Sequence, residues 1–158
     1  MSLACIDKGV DAYGHKEDHM PISTQELVVK LNNDLSWEYT AAIQYIQHSS
    51  VITGAAYMGI KKELILHANE EIQHAITLAG QINYLRGCPT IHVYEAKTSQ
   101  DNTAMLQQDL EGENDAIRRY IERIQEAEDL NLFHLAQQLR QILAMEQEHA
   151  MDLEEALA

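Results

Sequence analysis

Four glutamates and two histidines of this sequence recur at a spacing that suits metal chemistry. Glu71 and Glu146 are each followed three residues later by a histidine. On a helix, that spacing places the carboxylate and the imidazole on the same face. Two further glutamates, Glu38 and Glu113, precede these pairs by the same interval of 33 residues. The complete set of candidate metal ligands is Glu38, Glu71, His74, Glu113, Glu146 and His149.

The composition of this set indicates which metals it would bind. Two divalent cations would balance the charge of four carboxylates, and the two imidazoles would complete the ligand shell as neutral donors. Oxygen-rich ligation with nitrogen as the minority suits iron or manganese, whereas structural zinc sites are rich in thiolates. We therefore expect two divalent cations per chain, either iron or manganese.

Each candidate ligand interrupts a row of apolar residues that has helical periodicity. On the predicted third helix, for example, Glu113 lies among Leu106, Leu110, Ile117, Ile121 and Ile124. The rows predict four long helices: one from Ser23 or Thr24 to about Thr53, one from Ile60 to Arg86, one from Asp101 or Asn102 to Asp129, and one from Leu132 to the end of the sequence.

The connections between these helices predict the topology. Short turns near Gly54 and Asp129 make the first two helices antiparallel, and likewise the last two. The segment from Pro89 to Gln100 can span about 40 Å when extended, which is roughly the length of one of these helices. The sequence therefore predicts an all-α four-helix bundle of two antiparallel hairpins joined by a long crossover, with the third helix parallel to the second. Both 33-residue intervals are centred on the short turns, so all six side chains would reach one level of the core.

Charge and composition narrow the function. The chain has 25 acidic and 11 basic residues, and a formal charge of −14 argues against nucleic acid and for cations as partners. The sequence contains no apolar run of membrane-spanning length, and its first 20 residues are charged where a signal peptide is apolar. We therefore expect a cytoplasmic protein with an N-terminal extension over residues 1–22 and one bundle domain over 23–158. Cys5 and Cys88 lack zinc-site spacing, and we expect reduced thiols, with Cys88 a small buried residue.

Residues 24–157 resemble the ferritin-like superfamily, and within it bacterioferritin. The similarity is carried by NDLSWEYTAAIQYIQHS, EEIQHAITLAGQINYLRGCPTI, MLQQDLEGENDAIRRYI and EQEHAMDLEEAL. The resemblance implies a ferritin-like bundle in which the six candidate residues bind two iron ions per chain, with manganese or zinc as substitutes, and Glu71 and Glu146 bridge them. It also matches Tyr45 to a tyrosine beside the iron centre, with a catalytic role, although a plain core aromatic is an equal alternative. The implied activity is oxidation of Fe(II) by O₂ or H₂O₂, for iron storage or detoxification.

Three departures from bacterioferritin modify these expectations. Ile72 stands where that family has a haem-ligating methionine, so no haem is expected. The sequence shows no match to the family's short fifth helix, and its N-terminal extension has no counterpart there. We therefore expect a homo-oligomer between a dimer and a 12-subunit or larger shell, with the fourfold contacts of a 24-subunit cage in doubt.

Two other functions stay open at this stage. The first is a non-storage di-iron or di-manganese oxidase or peroxidase, of rubrerythrin-like or oxygenase type. The second is a helical interaction module in which the buried Glu/His network is structural. His67, one turn before Glu71, either supports a ligand or simply packs in the core, while His48 carries no functional prediction.

Overall fold

The computed structural model describes residues 22–158, so the proposed extension over 1–22, including Cys5, lies almost entirely outside the described residues. The described chain is a bundle of four α-helices: α1 (Thr24–Val51), α2 (Ile60–Tyr84), α3 (Asn102–Asp129) and α4 (Phe133–Leu157). A short 3₁₀ helix, Ala55–Tyr57, lies between α1 and α2. The predicted all-α four-helix bundle is confirmed. Within residues 22–158, none of the helices combines the length and the hydropathy that crossing a membrane requires.

Local capping interactions explain where two of the helices begin. At the start of α1, the Ser23 hydroxyl accepts a hydrogen bond from the Glu26 backbone N–H at 3.2 Å. The Glu26 carboxylate in turn accepts one from the Ser23 backbone N–H at 2.8 Å, which completes a capping box. At the start of α3, the Asp101 carboxylate accepts a hydrogen bond from the Ala104 N–H at 2.7 Å. These side chains satisfy backbone donors that have no partner within the helix.

The end of α2 depends on a glycine that packs against α1. Arg86 has a φ of 67°, and the Gly87 N–H donates a hydrogen bond to the Ile82 carbonyl at 2.9 Å, which closes the last turn. A Cβ atom on Gly87 would lie 2.5 Å from Val28 Cγ1. Glycine is therefore required here by the close approach of the backbone to α1, and the chain can leave α2 directly into the crossover.

Polar pairs between α1 and α3 establish the relative direction of the two helices. Near the beginning of α1, Asp34 contacts Arg123 near the end of α3 at 3.0 Å. Further along α1, Gln44 contacts Asp109 near the beginning of α3 at 2.9 Å. The partners thus run in opposite order, so α3 is antiparallel to α1 and parallel to α2, as the long crossover predicts.

The crossover, residues 85–101, runs along α1 in the same direction as that helix. Side chains of α1 accept hydrogen bonds from its backbone N–H groups at three successive levels: Asn32 from Thr90 at 2.7 Å, Thr40 from Tyr94 at 2.9 Å and Gln44 from Lys97 at 2.8 Å. These bonds satisfy backbone donors of an extended segment that pairs with no strand in the described part of the chain. They fix the crossover over the face of the bundle between α1 and α3.

The row of core residues predicted for α3 is confirmed at its ends and wrong in its middle. Leu106 and Ile124 are buried, but Ile121 is 56% exposed and Ile117 is only partly buried, whereas Ala116 and Tyr120 are buried. Ala116 and Tyr120 follow Glu113 by three and by seven, which places them on its face of the helix. Ile117 and Ile121 lie one position further around the helix, which carries Ile121 out to solvent.

Two further single-residue predictions are wrong. The helical spacing of the apolar residues Leu35, Ala42 and Tyr45 predicts that Ile46 belongs to the core row of α1, but Ile46 is 56% exposed because it lies on the outer face that α1 shares with α2. Cys88, expected to be buried, is exposed because it follows the last turn of α2 at the surface.

Candidate metal centre

The structure brings all six predicted metal-ligating residues together at one level of the bundle. Their side chains come from all four helices, and each residue is at most 3% exposed. They separate two apolar parts of the core, one containing Leu31 and Leu139 and the other containing Leu64 and Leu153. We call these residues the six-residue cluster: Glu38, Glu71, His74, Glu113, Glu146 and His149.

The cluster divides into two overlapping groups of four. In each group, one ligand atom from each residue lies within 4.8 Å of the others. The groups are Glu38, Glu71, His74 and Glu146, and Glu71, Glu113, Glu146 and His149. Glu71 and Glu146 belong to both groups. This sharing is the geometry expected of two adjacent cation sites with two carboxylates between them.

In the first group, one imidazole nitrogen faces three carboxylates. His74 Nδ1 lies 3.3 Å from Glu38 Oε2, 3.2 Å from Glu71 Oε2 and 3.0 Å from Glu146 Oε1. A single proton on this nitrogen cannot satisfy three carboxylate oxygens at once. A cation among these four atoms would contact all of them.

The second group is arranged in the same way around the other histidine. His149 Nδ1 lies 3.1 Å from Glu71 Oε1 and 3.7 Å from both Glu113 Oε2 and Glu146 Oε2. On the other side of the ring, Nε2 contacts Glu70 Oε2 at 2.9 Å. A carboxylate accepts hydrogen bonds, so this contact favours a proton on Nε2, and Nδ1 would offer its lone pair to a cation that replaces the proton there.

Unsatisfied buried atoms in the cluster fit bound cations. Among the described residues, four of its carboxylate oxygens and one imidazole nitrogen are buried without a hydrogen-bond partner: Glu38 Oε2, Glu71 Oε1, Glu113 Oε2, Glu146 Oε1 and His149 Nδ1. Buried polar atoms in native proteins are nearly always paired. Each of these atoms belongs to one of the two groups of four, so the donor set fits two divalent cations.

Burial and mutual repulsion favour the protonated forms of the two shared glutamates. Burial, followed by the charges of Glu113 and Glu38, raises the pKa of Glu71 to about 7. Burial together with the charges of Glu71 and Glu113 raises the pKa of Glu146 well above its ordinary value. Without cations, protons are therefore retained at the shared positions near neutral pH.

The two outer glutamates behave in the opposite way. Burial opposes ionisation of Glu38 and Glu113, but contacts with His74 and His149, respectively, outweigh it and lower the pKa of both carboxyl groups. Although burial disfavours charged imidazole, contacts with Glu113 and Glu71 raise the pKa of His149 to about 10. The cluster therefore holds positive charge by itself in the form of protons, which bound cations would replace.

Tyr45 contacts the cluster, and so does a second tyrosine that the sequence reasoning missed. The Tyr45 hydroxyl donates a hydrogen bond to Glu113, and the Tyr120 hydroxyl donates one to Glu38. Both tyrosines are fully buried, and burial with nearby carboxylates raises the pKa of each well above its ordinary value. The spacing could have revealed Tyr120, because it follows Glu113 by seven residues just as Tyr45 follows Glu38.

A buried ion pair next to the cluster was also missed. Asp34 is fully buried and contacts Arg119 Nε at 3.1 Å and Arg123 Nε at 3.0 Å. Burial raises the pKa of Asp34 to about 6, although the two guanidinium groups oppose this shift. The apolar rows in the sequence show no sign of a buried arginine, but Arg123 lies on a core face of α3 and is 5% exposed. Arg123 pairs with Asp34 and with two glutamates outside the cluster, so it forms no ion pair with the carboxylates of the six-residue cluster.

His48, which carried no functional prediction, connects the crossover to the core. Its Nδ1 lies 2.9 Å from both carboxylate oxygens of Asp109, and its Nε2 lies 3.1 Å from the Lys97 carbonyl oxygen. Gln44 completes the network because its side chain donates to Asp109 and accepts from the Lys97 N–H. The crossover is thereby held next to the helical turn that carries Glu113.

A cavity of about 110 Å³ leads to the cluster between α1, α3 and the crossover. The cluster carboxylates line its inner part, and its other lining residues include Trp37, Gln44, Lys97 and Asp115. This volume holds a few water-sized molecules. The cluster is therefore in contact with a space that a small oxidant or a cation could enter.

Four helices with a long crossover, enclosing four carboxylates and two imidazoles, are the arrangement of a ferritin-like protein. The comparison with protein families agrees: the ferritin-like domain model of the Ferritin family matches residues 28–158. This chain belongs to that family.

Individual relatives are similar over most of the chain. A bacterioferritin of Brucella melitensis is 29% identical over 133 residues, covering 84% of this chain and 83% of the relative. A bacterioferritin of Streptomyces coelicolor is 31% identical over 136 residues, covering 84% of this chain and 80% of the relative.

Two solved structures share the fold. A ferritin-like, diiron-carboxylate protein of Bacillus anthracis superposes with a TM-score of 0.83 and 31% identity, covering 87% of this chain and all of that chain. A dodecameric thioferritin, the bacterioferritin-related protein of Bacteroides fragilis, superposes with a TM-score of 0.80 and 30% identity, covering 87% of each chain.

Proposed function

We propose that this protein oxidises Fe(II) with O₂ or H₂O₂ at the six-residue cluster, as a ferroxidase for iron storage or detoxification. The observation that carries the proposal is the pair of four-residue groups that share Glu71 and Glu146. The diiron-carboxylate protein of Bacillus anthracis and the two bacterioferritin relatives support iron as the metal.

The proposed roles follow from the positions of the residues. Glu38 and His74 would bind one Fe(II), Glu113 and His149 the other, and Glu71 and Glu146 would lie between them. Two bound iron ions supply the electrons that reduce the oxidant. Glu71 and Glu146 must give up the protons that they retain near neutral pH when Fe(II) binds.

We propose that Tyr45 positions Glu113 at the edge of the cluster. Its raised pKa keeps the hydroxyl protonated, so it donates a hydrogen bond to Glu113 throughout the physiological pH range. Aromatic contacts with His67 at 5.4 Å and His149 at 6.4 Å between ring centroids fix its position.

We also propose a homo-oligomer, between a dimer and a 12-subunit or larger shell. Isoleucines on the outer face of α1 and α2 are 41–59% exposed: Ile43, Ile46, Ile65, Ile72 and Ile76. A contiguous apolar surface of this kind is typical of a protein–protein interface. The dodecameric protein of Bacteroides fragilis supports the larger assembly. Native mass spectrometry gives the subunit number, and a monomer at micromolar concentration would contradict the proposal.

A second candidate function is a non-storage di-iron or di-manganese oxidase or peroxidase. The cavity of about 110 Å³ beside the cluster favours it, since a small substrate could reach the carboxylates from there. A dimer that consumes peroxide without accumulating Fe(III) would support this candidate over storage. The cytoplasmic location and the division into residues 1–22 and 23–158 stay predictions from the sequence.

The test of the ferroxidase is oxidation of Fe(II) by the protein and by two matched variants. Fe(II) is added anaerobically at about two per chain, O₂ is admitted, and Fe(III) formation is followed against a protein-free control. Glu146→Gln removes a shared ligand, and we expect it to slow oxidation at least about tenfold. Glu148→Gln, an exposed residue of the same helix, should leave the rate unchanged. A Glu146→Gln protein that oxidises Fe(II) at the unaltered rate would contradict the proposal.

A further inference from the structure

A second group of potential metal ligands lies at the surface between α2 and α4. One ligand atom from each of Glu63, His67 and Asp152 lies within 4.8 Å of the others, and none of the three belongs to the six-residue cluster. His67 Nε2 lies 3.2 Å from Asp152 Oδ2. We call these three residues the outer group. One imidazole and two carboxylates are a donor set suited to a divalent cation.

His67 is held in a fixed position by the core. The residue is 2% exposed, and its ring stacks on His149 with 4.0 Å between centroids and an angle of 25°. The edge-on contact with Tyr45 fixes the ring from another side. Its Nε2 contacts Asp152, while its Nδ1 is buried without a hydrogen-bond partner. With the ring fixed in this way, Nε2 is a pre-organised ligand on the side of the outer group.

The outer group opens onto a hollow that attracts cations. The hollow has a volume of about 510 Å³ and lies beside the connection between α1 and α2. Its lining includes the carboxylates of Glu63, Asp152 and Glu155, and none of its eight lining residues is lysine or arginine. Carboxylates gathered in a concave surface raise the local concentration of cations.

The outer group is also connected to the six-residue cluster through shared ligands. His67 forms another group with Glu70 and His149, in which ligand atoms again lie within 4.8 Å of one another. Glu70 contacts His149 on the side of the ring away from the cluster, at 2.9 Å. Potential ligands therefore continue without interruption from the hollow to the buried cluster.

We propose that Glu63, His67 and Asp152 bind a third divalent cation, and that this cation passes to the six-residue cluster by way of Glu70 and His149. Within the proposed ferroxidase function the cation is Fe(II), and the transfer rests on that function. The binding of a cation by the outer group does not depend on it.

The first test counts bound cations with Co(II), which avoids oxidation during the measurement. We expect equilibrium dialysis to give three Co(II) per wild-type chain and two per Asp152→Asn chain. Asp152 is half exposed and asparagine has its shape, so the core is undisturbed. Glu155→Gln alters the same hollow outside the outer group and should retain three. Two Co(II) in the wild type, or three in Asp152→Asn, would overturn the proposal.

A second variant separates this proposal from the ferroxidase function. Glu71→Ala combined with Glu146→Ala removes both shared ligands, and we expect one Co(II) per chain to remain. Adding Asp152→Asn should remove that last cation. If the double variant binds none while circular dichroism shows a folded protein, the outer group is overturned. If it binds one while the wild type fails to oxidise Fe(II), the ferroxidase proposal fails and the outer site stands.

The transfer step is tested by the rate at which the cluster fills. After rapid mixing with Co(II), we expect Asp152→Asn to fill the six-residue cluster several-fold more slowly than the wild type, with the same final occupancy of two. Slower filling at unchanged occupancy identifies a route, which a merely structural role of Asp152 would not produce. An unchanged filling rate would overturn the transfer.

Discussion

The hydroxyl group of Tyr120 on α3 donates a hydrogen bond to Glu38 on α1. The reverse relationship holds between Tyr45 on α1 and Glu113 on α3, so the two helices exchange equivalent bonds. In both cases the tyrosine binds Oε1 and leaves Oε2 unpaired in the cluster. Each tyrosine therefore determines which carboxylate oxygen is available to a cation.

These two reciprocal hydrogen bonds predict that Tyr45 and Tyr120 are equivalent for metal binding. Replacing either Tyr45 or Tyr120 by phenylalanine frees one glutamate to rotate away from its group. We expect Co(II) affinity to fall by about 10–100-fold in each variant, as for other residues that orient metal ligands. Tyr84→Phe is the control, since Tyr84 is 75% exposed. A large loss for one tyrosine and none for the other would contradict the equivalence.

This relationship also indicates how much the sequence could predict. The ligands were predictable because the repeated 33-residue interval and the seven-residue spacing can be read directly from the amino-acid sequence. Tyr120 was accessible by the same reasoning, but Ile117 and Ile121 suggested a core face displaced by one residue in the middle of α3. Asp34 and Arg123 could not be paired in advance, because their contact depends on the register between two helices separated by 89 positions. The link from His48 to Lys97 depends on the path of an extended segment, for which the sequence has no periodic signal.

The buried ion pair predicts an asymmetry between two arginines. Arg123→Ala leaves the carboxylate of Asp34 buried with only Arg119 beside it, and we expect a loss of about 3 kcal/mol in the free energy of unfolding. Arg140→Ala breaks the exposed contact with Glu128 and should cost less than about 1 kcal/mol. Urea denaturation of both variants measures the difference. Equal losses would show that burial of Asp34 adds nothing to the strength of its pairing.

The metal-free protein should lose stability as pH rises. The pKa of Glu71 is raised from 4.5 to about 7, so the unfolded chain releases this proton first and stability falls between these values. The pKa of His149 is raised from 6.5 to about 10, so its contribution is complete below 6.5 and is lost as pH rises to about 10. Both effects lower the unfolding temperature of the metal-free protein between about pH 5 and pH 8.

Bound cations should reverse that trend, because cations replace the protons and bind more tightly as pH rises. Calorimetry of the metal-free and Co(II)-loaded protein across this range measures both slopes. Glu71→Gln has no carboxyl group to titrate at this position, so its metal-free slope should be shallower than that of the wild type. A metal-free protein whose unfolding temperature increases steadily with pH would contradict the assignment of retained protons to the cluster.

The anchor of the crossover gives the last prediction. Gln44 accepts the Lys97 N–H at 2.8 Å and donates to Asp109 at 2.9 Å, so Gln44→Ala leaves both groups without that partner. We expect a loss of about 1–3 kcal/mol in the free energy of unfolding, the usual cost of unsatisfied buried groups. Because the crossover is held to α1 by a few such bonds, backbone amides near Lys97 should exchange with solvent faster than those of the helices. Hydrogen exchange followed by mass spectrometry measures this local opening.

A matched variant separates local opening from general destabilisation. Gln107→Ala also removes a glutamine amide, but Gln107 is exposed and should leave exchange in the crossover unchanged. Because Asp109 precedes Glu113 by one helical turn, loosening of the Gln44 contact should also be felt at the cluster, as weaker Co(II) binding. If exchange near Lys97 increases while Co(II) affinity stays constant, the crossover covers the cavity without positioning Glu113. If neither changes, the other hydrogen bonds of the crossover with α1 are sufficient to hold it, including those of Asn32 and Thr40.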